Sequence, residues 1–139
     1  MRSWLNDSFL NEAFSYEEQE AILTTKVDNS RNQGNNKWNT NGGNNTEDKV
    51  FLLSYKEADQ YFDTNDARLC KHTAYAKAHG TYPIIGEYCW WWLRSPGYRQ
   101  DHTALCHREG TLGFNETVDI DYFAVRPAIW IDLDSEYFK

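Results

Sequence analysis

Three cysteines, four histidines and two pairs of late aspartates are the side chains of this sequence best suited to chemistry. Cys70, Cys89 and Cys106 are spaced for neither a zinc knuckle nor a C-x-x-C redox motif. Their odd number leaves either one disulfide and a free thiol or three reduced thiols. The reduced reading is preferred, because the opening MRSWLNDSFLNEAF lacks the apolar stretch of a secretion signal. His72 and His79 read as surface residues. His102 and His107 lie five apart on an expected strand and so face opposite sides, which does not suit a shared metal. Cys106-His107 has the types of a thiol nucleophile and its base, but neighbours on a strand face apart and cannot pair. Asp119 with Asp121, and Asp132 with Asp134, stand at i, i+2. That spacing would put each pair on one strand face, within reach of calcium; a solvated acidic edge is the simpler reading. G-x-S-x-G, the phosphate-binding P-loop, G-x-G-x-x-G and H-E-x-x-H do not occur. The expectation is a domain that is not an enzyme, with no metal and no cofactor.

The elements that would position these groups are read from caps and periodicity. Residues 3–14 predict a short helix capped by Ser3, with Trp4, Leu5, Phe9 and Phe14 on its apolar side. Ser15 and Glu18 form a capping box that opens a second helix, and residues 24–27 predict a brief extended piece. Residues 28–45 hold eight Asn, three Gly and one large apolar residue, Trp38, and predict a long loop. Such a loop is either a mobile insertion or a binding loop anchored by Trp38. Val50 to Leu53 predicts a buried strand. Ser54 and Glu57 form a second capping box, starting a helix that runs to about Phe62. Residues 63–71 predict a loop, and Thr73 predicts the cap of a short helix over 74–78 that stops near Gly80. Residues 88–93 predict a strand ended by the turn Ser95-Pro96-Gly97, with further strands near 103–107, 111–118 and 123–131. Helices followed by an antiparallel sheet make an α+β fold, read as a single domain over 1–139.

Composition narrows the function further. The net charge is −7, with no basic stripe to neutralise phosphates, so nucleic acid is not an expected partner. An anionic membrane surface is a poor partner for the same reason, and no apolar run approaches the length of a membrane helix. The expected location is cytoplasmic, or surface- or virion-displayed within a larger assembly. Aromatics reach 16%, with six Trp, enough to build a core from few large rings or to furnish a binding face.

Trp91-Trp92-Leu93-Arg94-Ser95-Pro96-Gly97 and Val125-Arg126-Pro127-Ala128-Ile129-Trp130-Ile131 carry a resemblance. Arg2-Ser3-Trp4-Leu5-Asn6, Asp48-Lys49-Val50-Phe51-Leu52-Leu53-Ser54 and Thr73-x-Tyr75-Ala76 agree with it. The chain resembles an uncharacterised bacterial domain family bearing these signatures. That family looks like the C-type-lectin-like fold of the formylglycine-generating-enzyme branch, which includes the variable proteins of diversity-generating retroelements. The resemblance implies short N-terminal helices packed on a small antiparallel sheet formed by the C-terminal half, and a ligand surface near the C-terminus. It does not bring catalysis, because the three cysteines do not fall on the formylglycine-generating pattern. Nor are the Glu-Pro-Asn or Trp-Asn-Asp triplets of calcium-dependent sugar-binding lectins present. Relatives usually begin with further strands before the Arg2–Asn6 segment, which implies a truncated module or a compact variant with an open sheet edge.

Between the two signatures, residues 98–123 mix aromatic, cationic, acidic and amide types without a clean period of two. They are expected to display a binding surface for a protein or glycan on a rigid frame. Its contact residues would be Tyr98, Arg99, Gln100, Asp101, His102, Leu105, His107, Arg108, Tyr122 and Phe123. Adenine mutagenesis of Asn codons yields several of these types, as a retroelement-diversified protein would show. The alternative is a structural or assembly module of a larger bacterial or phage surface protein, with the same residues packed on a partner chain, including a second copy. Arg94 and Arg126 sit in apolar signatures and are expected to be partly buried on carboxylate or carbonyl partners, as ties between strand and loop or as an anion clamp.

Overall fold

A computed structural model describes residues 1–34, 37–81 and 86–139. Asn35 and Asn36 of the expected loop lie outside the described residues. The architecture is α+β, with short helices and small, mainly antiparallel sheets. It divides into two compact units, Met1–Asp28 with Asn45–Phe51 and Pro127–Lys139, and Asn29–Asn44 with Leu52–Arg126.

In the first unit, helix runs from Arg2 to Ala13 as α1 (Arg2–Trp4), a π-helical stretch Leu5–Phe9, and α2 (Leu10–Ala13). Ser3 is not its cap, as expected above, but lies inside the first turn; no side chain caps this end. Ser15 does cap α3 (Tyr16–Ala21), with both bonds of its box formed. Strand β1 (Thr25–Val27) pairs antiparallel with β2 (Thr46–Asp48). The Arg2–Asn6 signature has a physical role here. Arg2 Nε donates to both oxygens of Asp48, at 2.8 and 3.0 Å. Asn6 mimics a strand partner: its Oδ1 accepts the N–H of Lys49 and of Val50, and its Nδ2 donates to the Val50 carbonyl. Backbone that would otherwise lack partners is thereby satisfied. Ile22 bridges Ile131, so early and late segments pair within this unit.

The second unit carries the larger sheet. Strand β3 (Phe51–Leu52), whose first residue lies in the first unit with its sheet partner Pro127–Ala128, leads into this second unit, and Ser54 then caps α4 (Tyr55–Tyr61) with a complete box. Thr64 caps α5 (Asn65–Arg68), a helix where a loop was expected. Thr73 caps α6 (Ala74–Ala78), which ends before Gly80 at φ +89°. The sheet is antiparallel, in the order β4 (Trp91–Pro96), β5 (His102–Cys106), β6 (Leu112–Thr117). Strand β4 starts three residues later than expected and runs through Ser95-Pro96, with a register shift between Trp92 and Pro96 that accommodates the proline. The strand expected over 123–131 shrinks to a parallel bridge at Ala124 against Trp91, β7 (Pro127–Ala128) and the Ile131 bridge. Asp119, Asp121, Asp132 and Asp134 lie outside strands, so neither pair shares a strand face. Asp132 instead closes a turn by accepting the Asp134 N–H.

Both faces of β4 are covered. Trp91 and Leu93 join Ala58, Cys89, Ala104, Cys106 and Ala124 in a core fringed by Phe62, Tyr55 and Phe114. Trp92 points to the other face and packs on Phe123 at 4.8 Å. An uninterrupted apolar run is what a doubly covered strand requires.

Candidate functional site

The residues proposed from sequence as contacts divide into three groups. Leu105, Phe123 and His102 are buried, at 0%, 6% and 5% exposure, which corrects their expected place on a binding surface. Leu105 faces away from the Cys106 side of β5, but that face is also covered, and Phe123 closes it by packing between Trp90 and Trp92. His107 sits beside Trp90 at 4.8 Å, with its Nδ1 3.0 Å from Thr111 Oγ1, and Tyr122 packs edge-on to Phe123. Arg108 is half-buried on the rim near Glu109.

The remaining group converges. Gly97 opens the turn after β4, and a Cβ there would fall 2.4 Å from the Phe114 carbonyl oxygen and 2.7 Å from His102 Cβ. Only glycine allows this approach, and the bonds Gly97 N–H to His102 O (2.8 Å) and Tyr98 N–H to Phe114 O (3.2 Å) then pin the turn to β5 and β6. From that base Tyr98 projects, 39% exposed, edge-on to Trp38 at 6.0 Å and to His102 at 4.5 Å. Arg99 lies over the Tyr98 ring at 5.1 Å, with its Nε 3.4 Å from Asp101. Asp101 accepts from His102 Nδ1 at 2.7 Å, and this bond holds its carboxyl below the ordinary range. Gln100 reaches across to donate to the Asn41 carbonyl at 3.2 Å.

The Asn/Gly-rich segment is therefore built against the turn. A 3-10 turn over Arg31–Gln33 docks it: Ser95 Oγ donates to the Gln33 carbonyl at 2.8 Å and accepts the Tyr55 N–H, while Ser54 Oγ donates to Gln33 Oε1. Gly42 approaches Asn29 so closely that a Cβ would meet its carbonyl oxygen at 2.1 Å. Beside Trp38, which is 37% exposed, lies a depression of about 140 Å³ lined by Arg31, Asn32, Lys37 and Asn39. The surface thus combines two aromatic edges, three cations and several amides. Among the described residues, no three His, Cys, Asp or Glu side chains gather as a metal set.

A family model matches residues 1–133. The chain belongs to the family described as Domain of unknown function (DUF6273). No curated protein and no solved structure matches it. No helix of this DUF6273 domain, among the described residues, is long and apolar enough to cross a membrane.

Two residues that tie segments of the DUF6273 domain together have roles that sequence reading missed. Arg68 is buried and donates to the carbonyls of Gly110 (2.7 Å) and Phe62 (2.9 Å) and to Asn65 Oδ1 (2.7 Å). Its own carbonyl accepts Trp91 Nε1 at 3.1 Å and Arg126 Nη1 at 3.3 Å, while Arg126 also stacks over Phe62 and Trp91. Glu57, legible only as a helix cap, ion-pairs with Arg94, which also donates to the Leu52 carbonyl. Arg94 and Arg126 are therefore ties between segments, and neither guanidinium is aimed at the Trp38–Tyr98 surface by these bonds.

Proposed function

We propose that this DUF6273 domain is a non-catalytic, C-type-lectin-like recognition module. Its ligand surface comprises the 98–101 turn and the loop around Trp38. The observation that carries the reading is the Trp38–Tyr98 contact, which joins a loop and a turn distant in sequence into one exposed surface. Aromatic planes beside guanidinium, ammonium and amide groups suit saccharide ligands, whose C–H faces stack on rings while their hydroxyls take hydrogen bonds. A rigid base with exchangeable side chains also fits a retroelement-diversified protein. In that case gene repeats beside a reverse transcriptase would mismatch at the codons for 98, 99, 101, 108 and 122. They would spare Leu105 and Phe123, where substitution disturbs the core.

The test is an array of neutral and acidic saccharides, followed by calorimetry on the best ligand. Trp38→Ala/Tyr98→Ala is expected to weaken binding at least about tenfold, a loss of roughly 1.4 kcal/mol, with the melting temperature unchanged. A ligand held equally well by the double variant would end this reading.

A second reading, self-assembly, is favoured by one observation in the first unit. Ile131, Leu133, Tyr137 and Phe138 are exposed there, several of them around an apolar depression with Phe14 and Ile129. Sedimentation equilibrium showing a concentration-dependent dimer is the result that supports it; a monomer at every concentration removes it.

A further inference from the structure

Cys70 and Cys89 face one another across two short extended segments of the second unit. Lys71 and Tyr88 form an antiparallel bridge, and the next pair outward is Cys70 with Cys89. The Cys89 N–H donates to the Cys70 carbonyl at 2.8 Å. The Cys89 thiol donates to the same carbonyl oxygen at 3.1 Å, and the Cys70 thiol lies 3.8 Å from the Lys71 carbonyl oxygen. Lys71 pairs with Glu87 at 2.6 Å and lies over the Tyr88 ring, which latches the two segments together. Directly opposed residues in a hydrogen-bonded antiparallel pair have Cα atoms about 5.5 Å apart, within the roughly 4.4–6.8 Å that disulfides span.

The third thiol is placed differently. Cys106 is fully buried on β5, with its Sγ 3.5 Å from the His107 carbonyl and 4.0 Å from that of Arg68. Burial pushes it up to about 12. Cys70 is partly exposed. The neighbouring Cys89 thiol, opposed by burial and aided by the Arg126 charge, lowers Cys70 to about 6. The neighbouring Cys70 side chain and burial raise Cys89.

We propose that Cys70 and Cys89 are an oxidation site that takes a small-molecule disulfide of the glutathione class and closes to an intramolecular disulfide, leaving Cys106 as a thiol. The Cys70 thiolate attacks one sulfur of the oxidant, whose S–S bond breaks and releases one small thiolate. Capping Cys70 removes the thiolate charge that helped hold the proton on Cys89. Cys89 then loses that proton, its sulfur attacks Cys70 Sγ, and the second small thiolate leaves. Two protein thiols are oxidised and one small disulfide is reduced; the Cys89 proton and the one Cys70 had already given to solvent end on the two released thiols.

Trypsin cuts this sequence so that each cysteine falls in its own peptide, Leu69–Lys71, Ala78–Arg94 and Gln100–Arg108. The full chain is incubated with oxidised glutathione, its remaining thiols are alkylated in denaturant, and the digest is mapped without reductant. The expected result is a Leu69–Lys71 peptide linked to Ala78–Arg94, with Gln100–Arg108 alkylated. Cys89→Ser is expected to stop at a glutathione adduct on Cys70. Alkylation of native Cys70 by iodoacetamide should reach half its maximal rate near pH 6, where an ordinary thiol does so near about 8.5. Three thiols surviving oxidation, a link to Cys106, intermolecular links alone, or an ordinary alkylation midpoint would each overturn the proposal. The peptide map on the unsubstituted chain decides the matter even if the serine variant does not fold.

Discussion

Trp91→Ala is expected to cost about 3–5 kcal/mol of stability, a large share of what a domain of this size has. Trp91 is fully buried at the centre of the second unit's core. It meets Phe62 edge-on at 6.4 Å and carries the Arg126 guanidinium over its face at 5.0 Å. Its indole N–H also satisfies the Arg68 carbonyl. Truncation would remove the ring's transfer free energy, open a cavity the sheet cannot collapse into, and strip Arg126 of one stacking partner. Trp91→Phe separates these terms: it keeps most of the apolar volume and loses the donor, so a smaller loss of about 1–3 kcal/mol is expected. Urea unfolding reads both as a fall in midpoint at constant slope. Trp130→Ala, at a half-exposed ring, serves as the comparison and should move the midpoint little. Equal effects at positions 91 and 130 would show that Trp91 is not the centre of this core.

Glu57→Gln should be nearly as damaging, at about 3–5 kcal/mol near neutral pH. The carboxylate does two jobs. It accepts the Ser54 N–H at 2.9 Å to complete the helix cap, and it pairs with Arg94, itself only 11% exposed. Glutamine keeps one acceptor oxygen for the cap but leaves a largely buried guanidinium without its counter-charge. Burial on its own would raise the Glu57 carboxyl. The hydrogen bond from Arg94, the Ser54 N–H and the Arg94 charge outweigh it, so the net shift is downward. A carboxyl depressed in the folded state stabilises fully above the ordinary glutamate value, about 4.3. That contribution is lost as pH falls through the lower folded value. The gap between Glu57→Gln and the unsubstituted protein should therefore be widest near about pH 7 and narrow below about pH 4. A gap that is constant with pH would show that the carboxylate charge contributes nothing.

What could be read from sequence was mostly what neighbours in sequence decide. Both Ser-x-x-Glu boxes formed because cap and acceptor lie on one helical turn, and Thr73 and Gly80 bound α6 for the same local reason. The mixed composition between the two signatures pointed to residues 98–123, and the Tyr98–Asp101 part of that stretch is exposed. Long-range closure was out of reach. That Arg94 needed a carboxylate was legible, and Glu57 was visible as a cap, yet nothing local joins residues 37 positions apart. Leu105 and Phe123, expected at the surface from the mixed composition of residues 98–123, are buried because both faces of β4 are covered. The run Trp91-Trp92-Leu93, with no alternation, was the available signal that both faces are covered. Ser3 failed as a cap because the helix already begins at Arg2, where the guanidinium is committed to Asp48.

The carbonyl of Arg68 has a consequence for how the second unit comes together. It receives the indole of Trp91 and the guanidinium of Arg126, 23 and 58 positions downstream, while its own guanidinium reaches Gly110, 42 positions away. None of these bonds can form while the chain has ordered only α4 and α5. Each requires a loop closure whose entropy is spent before the contact forms. Assembly of this unit is then governed by non-local encounters, which slow folding and favour a single cooperative transition over stepwise growth from the N-terminal side.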